Sequence, residues 1–225
     1  MPPESSAPQP LGLTVHSLPD AREHAQARTR SGRWKMLIVL LLCAAPVVAS
    51  YFTYYVIRPE GRSSFGALIE PQRPMPQVHV QRLDGRVEPL ASLKGQWLLV
   101  SAAGGACSAR CAEHLYLQRQ LRESLGREKE RLDWVWLVTD DVAPAAALEP
   151  ALQQGQVVRL PHAQAQQWLQ PQDGHALEDH LYVVDPQGHW MMRLPAGLDR
   201  STAGRAKRDL ERLLRASASW DQPGR

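Results

Sequence analysis

The chain is poor in the residues that would fix its class at once. Three of its 225 residues are cysteine and two are phenylalanine, so a framework in which every thiol is paired cannot hold it together. Neither charge dominates: 26 Lys plus Arg stand against 23 Asp plus Glu, a formal +3. A nucleic-acid binder would carry a basic stripe or a strongly basic domain, and this balance excludes that class. There is no internal repeat with a period of about 20–50 residues, no glycine-rich phosphate loop, no His-Glu-x-x-His and no Gly-x-Ser-x-Gly. At 22% charged and 44% hydrophobic residues, the chain is neither a disordered acidic polymer nor a multi-span membrane protein. Its length allows one domain of ordinary size and an appendage.

What apolar character it has is concentrated. Met36 to Ile57 reads MLIVLLLCAAPVVASYFTYYVI, 22 residues without a charge. At about 1.5 Å rise per residue that matches a hydrocarbon core of roughly 30 Å. Trp34 stands at one end and Tyr51, Tyr54 and Tyr55 at the other, where amphipathic rings favour the headgroup level. Pro46 is tolerable in such a helix. Arg22, Arg28, Arg30, Arg33 and Lys35 crowd the approach to the span, whereas Arg58, Arg62 and Arg73 are spread out beyond it. The positive-inside rule then leaves the amino terminus in the cytoplasm and the remainder outside. A cleaved signal peptide, with Val47-Val48-Ala49 as its cleavage site, is the competing reading; the long leader and the aromatic belt speak for a retained span. Cys43, in Leu-Leu-Leu-Cys, lacks the small residue that would precede a lipidated cysteine and reads as a packed thiol.

The expected organisation is a disordered cytoplasmic tail over 1–35, an anchor over 36–57, a Pro- and Gly-containing linker over 58–76, a domain over 77–217 and a short tail over 218–225. Within the domain, Gln77–Leu83 and Arg86–Leu90 around Asp84-Gly85 form an entrance hairpin. The apolar run QWLLVSAAG, 96–104, is a strand buried on both faces. Gly104-Gly105 turns into CSARC, and a helix follows with Leu117, Leu121 and Leu125 on one side. LDWVWLVT, 132–139, is a second core strand, so the unit is a right-handed parallel βαβ. Trp134 and Trp136 share one face of it and pack in the core. Helices over Pro144–Gln154 and Ala163–Leu169 flank a short strand at Val157–Leu160. LYVVDPQGHWMMRLP is a hairpin turning at Asp185-Pro186-Gln187-Gly188. A last helix buries Ala206, Leu210, Leu213 and Leu214 and exposes a basic, solvated face of Arg205, Lys207, Arg208 and Arg212. This order is that of an α/β, thioredoxin-like domain behind a single amino-terminal transmembrane helix.

Cys107 and Cys111 close the first core strand and open its helix, where exposed amides and the macrodipole stabilise a thiolate at Cys107 and Arg110 adds positive charge. The plain alternatives are a structural disulfide or two inert thiols. Asp140-Asp141, at the end of the second core strand, reads as a solvated loop, and His162 and His189 as exposed positions.

With its single anchor, its Cys107-x-x-x-Cys111 turn and its LYVVDPQG hairpin after a histidine-containing segment, the soluble part resembles the Sco/SenC family, membrane-anchored thioredoxin-like proteins that help assemble the copper centre of cytochrome c oxidase. The resemblance implies that Cys107 and Cys111 bind copper with one histidine and exchange disulfides with oxidase thiols, chemistry that suits soft thiolates and an imidazole. It also implies a bacterial inner-membrane protein with its domain in the periplasm, acting as an assembly factor rather than a conventional enzyme, with an oxidase subunit or another assembly factor as partner. Two departures stand out. Ala112 occupies the position of the family's proline, and the histidine expected some eight residues before Asp185 falls at Leu177. His175 and His180 are the candidate third ligands, with His114, one turn after Cys111, a further one. The alternative function is an accessory binding module whose Cys107–Cys111 pair is a structural disulfide.

Overall fold

The computed structural model describes Gly12, residues 21–57 and residues 64–221. The expectations for 1–11, 13–20, 58–63 and 222–225 lie outside the described residues. The chain divides into two compact units, with the division after Arg62.

The first unit is one helix, α1 (Ala21–Phe52), continued by a wider turn over Thr53–Ile57. Residues Gly32–Tyr55 are long and apolar enough to cross a membrane, and none of that stretch is buried within the protein. Cys43 is exposed on its surface rather than packed. Because α1 begins at Ala21, residues 21–35 of the expected tail are helical: nothing in AREHAQARTRSGRWK breaks a helix except Gly32, and one glycine is tolerated.

The second unit is built on one eight-stranded sheet. Its strands are β1 (Ala67–Pro74), β2 (His79–Arg82), β3 (Val87–Pro89), β4 (Trp97–Ala103), β5 (Leu132–Val138), β6 (Gln156–Arg159), β7 (Tyr182–Val184) and β8 (His189–Arg193), in the spatial order β1-β8-β7-β4-β5-β6-β2-β3. The helices are α2 (Ala109–Ser124), the short α3 (Glu149–Leu152), α4 (His162–Trp168) and α5 (Ala203–Ser217). β4, β5 and β6 run parallel, with Trp97 opposite Leu132 and Ala103 opposite Val138. The β7–β8 hairpin joins β4 antiparallel, and the β2–β3 hairpin joins β6 antiparallel. The fold is thioredoxin-like, as the element order implied.

All seven residues of β4 are buried, which is what a strand covered on both faces requires. Alternation then sorts its side chains. Leu98, Val100 and Ala102 join Val135, Leu137, Trp168 and Tyr182 on one face, whereas Trp97 and Leu99 join Leu117, Leu121, Leu210 and Leu214 of α2 and α5 on the other. Trp134 and Trp136 are core residues beside Cys111 and Leu115. α2 is pinned by a polar contact as well: the wholly buried Gln118 donates from Nε2 to the carbonyls of Leu99 (2.7 Å) and Val135 (3.0 Å).

Three boundaries differ from expectation. Residues 67–74, inside the segment read as a linker, are the edge strand β1, antiparallel to β8 with a register shift between Leu68 and Arg73. Pro71 and Pro74 hid it, since proline argues against a strand everywhere except at an edge. At the other end, Asp221 belongs to the domain, not to a tail. Its Oδ2 accepts hydrogen bonds from Trp97 Nε1 (2.8 Å) and from Arg131 Nη2 (2.8 Å). The helix read over Pro144–Gln154 is confined to Glu149–Leu152 after one tighter turn.

Candidate functional site

The carboxyl ends of β4 and β5 place the cysteine turn. Gly104 and Gly105 leave β4, and a Cβ on Gly105 would run into the Val142 carbonyl, so the backbone passes where no side chain fits. Asp140 Oδ1 accepts the Gly105 N–H at 2.8 Å and the Val142 N–H at 3.1 Å, tying the loop after β5 to the cysteine turn. Asp140 is exposed in the loop after β5, as read, and it is also a scaffold of the site. A signal for it existed: β4 and β5 are parallel neighbours in register, so a short acceptor just past β5 faces the bare amides just past β4.

Cys107 sits in the left-handed region at φ 47°, and its N–H donates to the Gly104 carbonyl. For a non-glycine residue that conformation is costly and recurs at functional sites. Ser108 then caps α2, its hydroxyl accepting the Cys111 N–H at 3.3 Å. The two cysteines form a disulfide with sulfurs 1.99 Å apart. They are unequal: Cys107 is half-buried, whereas Cys111 is 2% exposed beneath Leu115 and Trp136. A sulfur at the mouth of a helix N-terminus and a second sulfur shut behind it are the parts of a thiol-exchange pair.

Arg110, expected to lend its charge to Cys107, is already spoken for. Its Nη1 meets Asp179 Oδ1 at 2.5 Å, bridging α2 to the 177–179 turn. Burial works to raise the Asp179 carboxyl, but the Ala176 N–H, Arg110 and His175 together hold it below the ordinary carboxylate range.

The histidines do not assemble as ligands. His180 is fully buried, its Nδ1–H donating to the Leu194 carbonyl (2.9 Å) while Nε2 accepts the Gln172 N–H (3.2 Å). Both ring nitrogens are engaged, so neither has a lone pair free for a metal. Burial pushes its pKa down, against the pull of the Leu194 bond, and the imidazole stays neutral. His175 is more open and lies 3.5 Å from Asp179, its ring edge-on to His180 at 5.5 Å. His114 is buried on α2, and burial, then the Arg110 charge, depress its pKa to about 4. Among the described residues no group of three His, Cys, Asp or Glu side chains is placed to hold a metal. In the disulfide form the sulfurs offer no thiolate and His180 has no free nitrogen, so this form of the pair does not hold copper. His162 is exposed as read, and His189 is half-buried with Nδ1 3.2 Å from Asp185 Oδ2 in the β7–β8 turn.

Comparison with known proteins follows the same lines. The family described as "Transmembrane-like, thioredoxin-like, C-terminal domain" matches residues 97–217, more than half of the chain. No curated protein matches in sequence. Among solved structures, yeast Sco1 superposes with a TM-score of 0.50 at 14% identity, over 66% of this chain and 97% of that one. A SCO1/SenC family lipoprotein from Bacillus anthracis gives 0.48 at 18% identity, over 64% and 98%. The thioredoxin domain of a thiol-disulfide oxidoreductase from Bacteroides vulgatus gives 0.45 at 17%, over 63% and 95%. Yeast Sco1 and Bradyrhizobium japonicum ScoI have also been solved with copper bound. At 14% identity the likeness to yeast Sco1 speaks to the fold alone.

Proposed function

Because the chain belongs to the transmembrane-like, thioredoxin-like C-terminal domain family, we propose that it is a membrane-anchored, Sco-like assembly factor that exchanges thiols and disulfides with a cysteine pair of a respiratory oxidase subunit or of another assembly factor, at the outer face of the membrane. The observation that carries the reading is the inequality of the pair: Cys107 half-open at the start of α2, Cys111 closed behind it. The amino-terminal apolar helix fits a single-pass anchor.

In the reduced protein the Cys107 thiolate attacks one sulfur of the partner's disulfide. A mixed disulfide forms and the partner's other sulfur leaves as a thiolate. The Cys111 thiolate then attacks the Cys107 sulfur and releases the partner's second thiolate. Two electrons pass to the partner, its thiolates take up two protons, and this chain ends as the Cys107–Cys111 disulfide. An upstream dithiol donor restores it by the reverse steps.

Copper delivery is the finer reading that the resemblance implied. Nothing in the site favours it over exchange, since His180 offers no free nitrogen.

Trapping tests the proposal. Cys111→Ser should accumulate a mixed disulfide with a partner in intact cells, because the resolving thiol is gone, while Cys107→Ser should not. A wild-type pair that is never found reduced, with neither variant forming a mixed disulfide, would return the pair to the structural-disulfide reading. Uptake of one cuprous ion by the reduced full chain in chelator competition, abolished by Cys107→Ser, would reinstate copper delivery.

A further inference from the structure

Arg205, Arg208, Arg212 and Arg215 are all exposed on α5. Their spacing of three, four and three residues keeps them within an arc of about 80° and along about 15 Å of helix. Ala206, Leu210 and Leu214 on the opposite side are buried in the core, so α5 cannot turn this stripe inward. The acidic groups of α5 do not interrupt it. Asp209 is buried and accepts the Gly66 N–H (2.8 Å), with Arg212 3.6 Å from its other oxygen, and Glu211 pairs with Lys207 on the flank (3.4 Å). Arg200 and Asp199, both exposed, precede the helix.

The stripe lies beside the point where the chain enters the domain. The Arg205 guanidinium carbon stands 4.6 Å from the centre of the Phe65 ring, and Gly66 is bonded to Asp209. Phe65 follows Ile57 by eight residues, which span at most about 29 Å when fully extended. If α1 is the anchor, the arginine stripe is leashed within reach of the headgroups that surround it. Trp220, 51% exposed just beyond α5, is the aromatic type that favours that level.

We propose that the Arg205–Arg208–Arg212–Arg215 face of α5 docks on anionic phospholipid headgroups of the membrane that anchors the chain. Guanidinium groups suit phosphate, because their planar donors meet its oxygens in pairs, and a row of basic residues on an amphipathic helix binds such surfaces electrostatically. The basic run is then a membrane-facing surface rather than a merely solvated one.

The inference rests on the anchor reading, and the two are separable by experiment. The full chain, with Cys43→Ser and its disulfide intact, is labelled at Ala216→Cys beside the stripe, or at Val87→Cys in the β2–β3 hairpin as a reference. It is reconstituted into bilayers of phosphatidylcholine alone or with about a third phosphatidylglycerol. Flotation with bilayers after alkaline washing reports the anchor; quenching of the label by a headgroup-attached nitroxide lipid reports α5. Docking predicts quenching at position 216, at least about threefold stronger with phosphatidylglycerol and lost near 1 M salt, where screening extends only about 3 Å. Position 87 should show neither effect. Arg208→Gln with Arg215→Gln, which leaves the Arg212–Asp209 pair in place, should remove the lipid dependence at an unchanged melting temperature, and lysine at both positions should restore most of it. Quenching at 216 that ignores lipid charge, or that matches position 87 in a protein that floats, would overturn the proposal. Failure to float would overturn the anchor instead, and docking on the anchoring membrane with it.

Discussion

His114 and His180 are imidazoles kept neutral by burial, and that ties the stability of the fold to pH. The folded pKa of His114 is about 4, below its ordinary 6.5, chiefly because burial penalises the charged ring and secondarily because Arg110 is near. Between those values the unfolded chain binds the proton and the folded chain does not, so stability rises with pH. The contribution is complete above about pH 6.5 and is lost as pH falls toward 4, a difference of roughly 3 kcal/mol for His114, with His180 acting in the same direction. Urea unfolding of wild type and His114→Leu between pH 4 and 7 should show a shallower acid limb in the variant. An identical slope would place the titration elsewhere. Sequence alone showed three histidines as rivals for one metal. It could not show that His180 would be wholly enclosed, because that depends on Gln172 and Leu194, eight and fourteen residues away, closing on its two nitrogens.

At the scale of elements, the cysteine turn is held by the end of the neighbouring strand as well as by its own residues. Asp140→Ala would leave the Gly105 and Val142 amides without their acceptor. The expected cost is about 1–3 kcal/mol, with faster hydrogen exchange at those two amides; Asp140→Asn, which keeps one acceptor oxygen, should lose less. Exchange unchanged at Gly105 would show that the turn stands without Asp140. The strands and helices that carry the site were legible because each has an unmixed local signal: β4 is a continuous apolar run, α2 repeats leucine at i, i+4 and i+8, and Asp-Pro-Gln-Gly marks the β7–β8 turn. β1 was not, since its prolines and its irregular register imitate a linker. The pairing of Arg110 with Asp179 was not legible either, because it joins residues 69 apart across a turn with no sequence signature.

In the whole molecule, the two ends of the domain are fastened by different means. The carboxyl end closes on a buried ion pair: Asp221 Oδ2 accepts from Arg131, Trp97 and Ser217, and the Arg131 and Asp221 side chains are 9% and 1% exposed. Removing one partner of a buried pair strands the other, so Asp221→Ala should destabilise the full chain by about 3–5 kcal/mol. Glu211→Ala, which breaks the half-exposed pair with Lys207, should cost under about 1 kcal/mol. Thermal melts of the two variants side by side give the comparison, and equal losses would contradict the clamp. The amino end of the domain is fastened at an edge. β1 is the first strand after the stretch that leads from α1, it touches the sheet on one side only through β8, and its pairing begins at Ala67. A pull transmitted along that stretch therefore meets Phe65 packed against Arg205 and the Gly66–Asp209 bond first, and then the β1–β8 ladder from its first rung, so an edge strand separates the leash from the disulfide-bearing centre of the sheet.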